Sequence, residues 1–273
     1  MSPQSTTRKL LSYSRFSEIR FRRKEVSPRE RAWRSFEQLR APHYRFAVSE
    51  VRKLFRQERN AAVLALDAFR PNDADWHEVL LEIHMRTARE IAAKMANRHA
   101  AALPKRKGAE EQTASIWLRT IEEYARTRMA DLVTAITSTT RDQIRTTLLE
   151  GLRLGEGVFE LASRIDSLFL DGIIPHRSEV IARTEVIAAS NSANRAAAVA
   201  VAEANKLELE HQWLATRDMR TREAHRNADG QLQPIDKPFR VMGEHLMFPG
   251  DTSLGASAAN IIMCRCSEIY AAL

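Results

Sequence analysis

The sequence predicts an α+β chain, with a mainly helical N-terminal body followed by a small loop-rich C-terminal module that carries a short antiparallel sheet. Three observations predict it. Apolar residues recur at helical spacing over long stretches before residue 207. Beyond Lys206 the pattern turns to alternation, the period of a half-buried strand. The stretch from Asp218 to Tyr270 then gathers three of the nine prolines, four of the nine glycines and both cysteines, a loop-and-turn composition. The expected organisation is a basic arm over 1–60, a helical body over 61–206 and a module over 207–273.

Within the body, Pro71 and Asn72 mark a turn, after which Trp76, Val79, Leu80, Ile83, Ala88, Ile91 and Met95 place a helix from Asp75 to Leu103. "LPKRKGAEEQ" reads as a polar linker. Trp117, Ile121, Tyr124, Ala125, Leu132, Val133 and Ile136 define a second long amphipathic helix. A third, from about Ser178 to Leu207, is rich in Ala and Ser. Those small side chains allow a neighbouring element to approach closely, and Ala adds helix propensity. In the module, Leu207, Leu209, His211 and Trp213 alternate with Glu208, Glu210 and Gln212 as a strand. Asp229-Gly230 and Pro249-Gly250 signal turns, and "CRCSEIYAA" reads as a closing strand.

The net charge of +7 is unevenly distributed. Residues 1–60 hold 16 Lys and Arg against 6 Asp and Glu, a net of +10, while the remainder holds 26 against 29, a net of −3. Phe16, Phe21, Trp33 and Phe36 interleave there with Arg20, Arg22, Arg23, Lys24, Arg29, Arg31 and Arg34. Such a stretch can neutralise phosphates of a nucleic acid or lie against an acidic protein partner, and a solvated basic helix is the plainer reading. No charge-free apolar run is long enough for a membrane helix, and the N-terminus lacks a signal-peptide apolar core. The chain is therefore read as soluble and non-secreted, without a membrane partner.

Cys264 and Cys266 are the only cysteines, one arginine apart. On an extended strand they would share a face. A disulfide between them would close a very small strained ring, so two reduced thiols are expected. With His225 they supply ligands suited to Zn²⁺, and Asp218, His211 or Asp251 could complete a set of four. The spacing differs from the usual zinc knuckle, and two thiols buried in a small core account for the pattern equally well.

The ordered series "IARTEV" (181–186), Trp213, "ATRDMRTREAHRNADGQ" (215–231), "PF" (238–239), "LMFPGD" (246–251) and "NIIMCRC" (260–266) resembles the phage minor head protein family, which includes phage Mu protein F and the SPP1-type head morphogenesis proteins. "LRLGEGVFELASRIDSLF" resembles the helical segment ahead of that family's Arg-Thr-Glu helix, so coverage runs from about Leu148 to Tyr270. One departure is the "IIM" that separates Asn260 from Cys264, where the family usually places Pro or Asn close before its Cys-Arg-Cys. The resemblance implies a virion protein of the capsid interior, assembled in the host cytoplasm. Its partners would be portal protein, capsid or scaffold protein, and packaged DNA.

The residues carrying the resemblance also admit a physical reading. Arg183, Thr184 and Glu185 on the Ala-rich helix, with Asp218, Arg220, Thr221 and His225 in the module, form a candidate polar network that fixes how helix and module dock. Trp213, Asp229, Gly230, Pro249, Gly250 and Asp251 complete the structural motif. This structural role is favoured over catalysis, since the sequence holds no G-x-G-x-x-G, P-loop, H-E-x-x-H or G-x-S-x-G. Two alternatives stay open. One is a metal-dependent hydrolase or transferase using the His, Asp and Cys cluster; the other is a DNA-binding accessory protein acting through the basic arm.

Overall fold

The computed structural model describes residues 27–101 and 109–273. Arg20, Arg22, Arg23 and Lys24 of the expected basic arm lie outside the described residues, as does the first part of the expected linker.

Helix α1 (Pro28–Ala65) opens at Ser27, whose hydroxyl accepts from the Glu30 amide at 3.2 Å, with Pro28 in the first turn. One stripe of this helix is buried, through Phe36, Arg40, His43, Ala47, Val51, Leu54, Phe55, Glu58 and Ala62. The described half of the basic stretch is therefore a core helix that crosses residue 60, which corrects the expected arm over 1–60 and the start of the helical body at 61. The surface of α1 keeps its charge. The opposite side is packed because apolar and neutralised polar groups recur there every three or four residues.

Helix α2 (Asp73–Ala101) follows and sets Trp76 edge-on to Phe55, with ring centroids 4.8 Å apart. Helix α3 (Ala109–Arg153) and the shorter α4 (Val158–Ser167) lead through a π-helical stretch, Leu168–Arg177, into α5 (Ser178–Asn205). Twenty residues of α5 are buried, so it has no solvent face of its own and serves as the axis against which α1, α2 and α3 pack. Its Ala-rich composition suits that position. Ala189, Ala193, Ala196, Ala197 and Ala200 let Phe36, Ile91, Trp117 and Ile121 of the surrounding helices approach closely.

Lys206, in the left-handed conformation at φ 57°, ends α5. Strand β1 (Leu209–Leu214) lies between β2 (Leu232–Pro234) and β5 (Ser267–Ala272), antiparallel to both, in the order β2-β1-β5. The expected alternation holds: Leu209, His211 and Trp213 face inward while Glu210 and Gln212 are half-exposed. Short helix α6 (Glu223–Asn227) separates β1 from β2, the hairpin of β3 (Phe239–Val241) and β4 (Glu244–Leu246) follows, and α7 (Ala258–Ile261) precedes β5. The module's core is small: Trp213, Phe239, Val241 and Leu246 meet Ile187 of α5 and both cysteines. The chain is thus mainly helical with a short C-terminal antiparallel sheet, as the sequence predicts. Among the described residues, no helix is long and apolar enough to cross a membrane.

Candidate functional site

The residues with chemistry to offer gather where α5 meets the module. Helix α5 presents Ser190, Asn191, Ser192 and Asn194 in the middle of an otherwise apolar run, all buried. Such residues compete with the helical backbone for hydrogen bonds, so their burial here asks for partners. Asn191 has three. Its Nδ2 donates to the carbonyls of Pro249 at 2.7 Å and Cys266 at 3.0 Å, and its Oδ1 accepts from Arg40 Nη2 of α1 at 2.6 Å. Arg40 also donates to Ser190 Oγ at 2.6 Å. Asn194 Nδ2 donates to the Glu268 carbonyl at 3.1 Å, while its Oδ1 meets His99 Nε2 of α2 at 3.1 Å.

Arg195, one residue on, donates to the carbonyls of Ile235 and Met247. Beside it, the buried His211 ring spans Glu268 Oε2 and the Lys237 carbonyl, at 2.9 Å each. The turn at Pro249-Gly250 completes the contact. Gly250 has φ +89°, and a Cβ there would stand 3.3 Å from the Ala188 Cα, so glycine is required both by conformation and by the close approach to α5.

The expected docking network divides into separate parts. Glu185 forms a bidentate ion pair with Arg128 of α3, at 2.7 and 2.8 Å, in a buried setting. Arg128 in turn donates to the Gly250 carbonyl and to Thr252 Oγ1 at 3.4 and 3.2 Å. Burial alone would lower the guanidinium pKa; Glu185 overrides it, and the group is held firmly charged. Thr184 Oγ1 accepts from the Met263 amide at 3.1 Å, a direct tie to the module. Arg183 instead lies over the Tyr44 ring of α1, 4.8 Å from its centroid.

Asp218 does not reach α5, which corrects the expected docking role. It grips Arg265 Nη1 and Nη2 at 2.5 and 2.6 Å and accepts from the amide of Arg220 and the hydroxyl of Thr221, all within the module. The Arg265 bonds hold its carboxyl well below the usual carboxylate range. The single Thr221 hydroxyl proton is shared between Asp218 and the Thr216 carbonyl. Asp251 is buried and clamps its own loop, accepting from the Met247 amide, the Ser253 amide and the Ser253 hydroxyl, each at 2.9 Å.

Asp229 provides the link to α1 that the sequence left unread. One of its oxygens accepts from Arg29 Nη2 and from the Ala215 amide, and the other accepts from Arg217. Arg29 also donates to Gln212 and to the Trp213 carbonyl. This corrects the reading of Arg29 as a nucleic-acid or acidic-partner contact: its fork is engaged inside the molecule. Arg34 pairs with Glu30 at 2.6 Å along α1. Arg31 is exposed on the same helix and has a partner of its own.

His225, Cys264 and Cys266 do converge. Nδ1 of His225 stands 3.6 Å from Cys264 Sγ and 3.5 Å from Cys266 Sγ, and all three ligand atoms lie within 4.8 Å of one another. Each residue is 1% exposed. The cysteines stand in the irregular segment ahead of β5, which begins only at Ser267, and so are not on the expected strand. Both thiols are free. The hydrogen bond between them lowers the Cys264 pKa and raises that of Cys266, which burial raises further. The expected fourth ligands, Asp218, His211 and Asp251, do not join this group. Each has the other partners described above.

What fold and site together define is a helical scaffold whose axial helix is locked to a small β module by buried polar side chains. Residues 142–269 match the family described as Phage Mu protein F like protein. Over this segment the match agrees with the resemblance to the phage minor head protein family that the sequence carries. Over 132 residues the chain is 30% identical to the minor head protein GP7 of Bacillus phage SPP1, an alignment covering 47% of this chain and 40% of that relative. The chain thus spans less than half the length of that relative. No solved structure gives a significant match.

Proposed function

We propose that this chain is a structural component of head morphogenesis in a tailed phage or prophage. In this reading it works in the procapsid interior beside the portal, in contact with portal and capsid or scaffold protein. It assembles in the host cytoplasm and ends in the virion. The observation that carries the reading is the use of polar groups in the matched segment. Asn191, Asn194, Arg195 and Glu185 are all engaged in fixing one element against another, Glu185 through Arg128 of α3 ahead of that segment, and Asp251 clamps its own loop. His225 and the two cysteines, the residues best suited to a reacting centre, are shut away from substrate. Both features support a docking unit over a hydrolase or transferase.

The test is co-purification of the full chain with portal protein from cells expressing the head genes, together with its presence in assembled particles. Recovery in both supports the proposal. A chain that stays free while particles assemble normally sinks it.

A second reading, direct contact with packaged DNA, rests on charge. Residues 1–26 carry seven Lys and Arg against two Asp and Glu. The basic surplus of the N-terminal stretch therefore includes side chains beyond those that α1 pairs internally.

A further inference from the structure

We propose that His225, Cys264 and Cys266 form a binding site for Zn²⁺, a structural metal staple at the centre of the module. The first argument is the valence of one nitrogen. A neutral imidazole nitrogen that carries no proton has a single in-plane lone pair and accepts one hydrogen bond. Yet Cys264 Sγ and Cys266 Sγ stand at 3.6 and 3.5 Å from the same Nδ1. A thiol hydrogen bond to Nδ1 accounts for one sulfur only and leaves the other to bond its neighbouring thiol, although both crowd the same nitrogen. A cation accounts for both. Zn–S bonds of about 2.3 Å and a Zn–N bond of about 2.05 Å at tetrahedral angles put sulfur and nitrogen roughly 3.5 to 3.6 Å apart.

The second argument is the fixed tautomer. Asn260 donates both hydrogens of its amide, to the Val241 carbonyl at 3.2 Å and to Glu244 Oε2 at 2.7 Å. That orientation leaves Asn260 Oδ1 as the atom facing His225 Nε2, 3.3 Å away. Nε2 must then carry the ring proton, and Nδ1 is left bare toward the sulfurs. A partner that orients the ring through its other nitrogen is what a histidine ligand requires. The Cys266 amide, at 3.5 Å from Cys264 Sγ, supplies a donor to one of the sulfurs.

Charge and size agree with this assignment. Zn²⁺ with two thiolates and a neutral imidazole has no net charge, so burial among Trp213, Phe239 and Ile187 is inexpensive compared with a lone ion. Binding releases the two thiol protons to solvent, and Nε2 keeps its own. Among the described residues no fourth His, Cys, Asp or Glu joins the cluster, so the protein supplies three of the four ligands. A small loop-rich module with a core of this size is the setting in which a metal adds most to stability.

The experiment uses the full chain purified alone, and is independent of any role in heads. Elemental analysis of protein prepared without chelator or added metal should find close to one zinc per chain. After stripping, Co²⁺ added in its place should give the visible bands of tetrahedral cobalt and near-ultraviolet sulfur-to-metal charge transfer. Replacing a cysteine can unfold the module, so the parent carries this primary readout. Asn260→Ala, which keeps all three ligands, should weaken Zn²⁺ binding about 10- to 100-fold. A parent chain with neither zinc nor cobalt bands overturns the proposal, as does a disulfide between Cys264 and Cys266 in protein purified without reductant.

Discussion

Asn191 Nδ2, in the middle of α5, donates to the main-chain carbonyl of Cys266 in the module at 3.0 Å. The same side chain serves Pro249 and Arg40, so one residue ties α1, α5 and two loops of the module together. Asn191→Ala leaves these partners buried and unpaired, and each such loss costs about 1 to 3 kcal/mol. Urea unfolding of the full chain should show a loss in that range or above it. A variant as stable as the parent would mean that water replaces the asparagine at no cost.

The buried pair of Arg128 and Glu185 should behave asymmetrically. Glu185→Leu strands a buried guanidinium and is expected to cost about 3 to 5 kcal/mol. Replacing both, as Arg128→Met with Glu185→Leu, removes the stranded charge and should recover most of that loss. Chemical denaturation of the two singles and the double reads this directly. Additive losses would contradict it.

Asp218 and Asp251 are expected to separate, although both stand in motif positions. Asp218 pairs with Arg265 while its own side chain remains 41% exposed, and exposed ion pairs are worth about 0 to 1 kcal/mol. Asp251 accepts three hydrogen bonds out of reach of water. Asp218→Ala should therefore melt within a few degrees of the parent, while Asp251→Ala falls by roughly 1 to 3 kcal/mol or more. Equal losses would show that position in the motif matters more than burial.

Stability should also respond to pH through Glu58, whose carboxyl burial raises to about 7 despite the hydrogen bond it accepts from Trp76 at 2.8 Å. The folded state holds this proton after the unfolded chain has released it. The contribution is therefore fully present below about pH 4.5 and is lost as pH rises toward 7. His84, which burial lowers to about 3, acts in the opposite direction between about pH 3 and 6.5, so the parent's own profile is flattened where the two overlap. The difference between Glu58→Gln and the parent isolates the carboxyl. The variant should gain roughly 2 to 3 kcal/mol on the parent between pH 4.5 and pH 8. A constant difference across that range would rule out the raised carboxyl.

Removal of residues 1–26 should lower retention of the full chain on DNA or on portal-bearing particles, and the lost portion should be the part that salt abolishes. The cut belongs there and not at residue 60, since α1 contributes Phe36, Val51 and Phe55 to the core. Unchanged retention at low salt would remove the charge-based reading.

Much of the fold was legible in the sequence, and for identifiable reasons. Strand β1 announced itself because Leu209, His211 and Trp213 alternate with polar neighbours, and α2 did so because Trp76, Leu80, Ile83 and Ile91 keep helical spacing. Helix α1 did not, because Arg40, His43 and Glu58 sit on its buried stripe and break the apolar signal. The letters Ser27-Pro28-Arg29-Glu30 nevertheless spell a helix start. In the site, the convergence of His225 with both cysteines could be anticipated from ligand chemistry. The roles of Asn191 and Asn194 could have been suspected, since asparagine is a poor helix former in an alanine run. The acceptors of their amide hydrogens could not be read, because those are main-chain carbonyls of Pro249, Cys266 and Glu268 and carry no sequence signal. Asp218 and Asp251 look alike as letters, and only burial tells them apart.

Helix α3 begins at Ala109 and ends at Arg153, so the family-matched segment, opening at residue 142, starts inside a continuous helix. A recombination joint placed at that edge would cut α3 after Arg128, leaving Glu185 and the Gly250 turn facing whatever helix the new neighbour supplied. The recognisable stretch is thus not a portable cassette. Exchange between genomes could transplant it only together with helices able to meet α5 on the same terms, and the unit of inheritance here must be larger than the unit of resemblance.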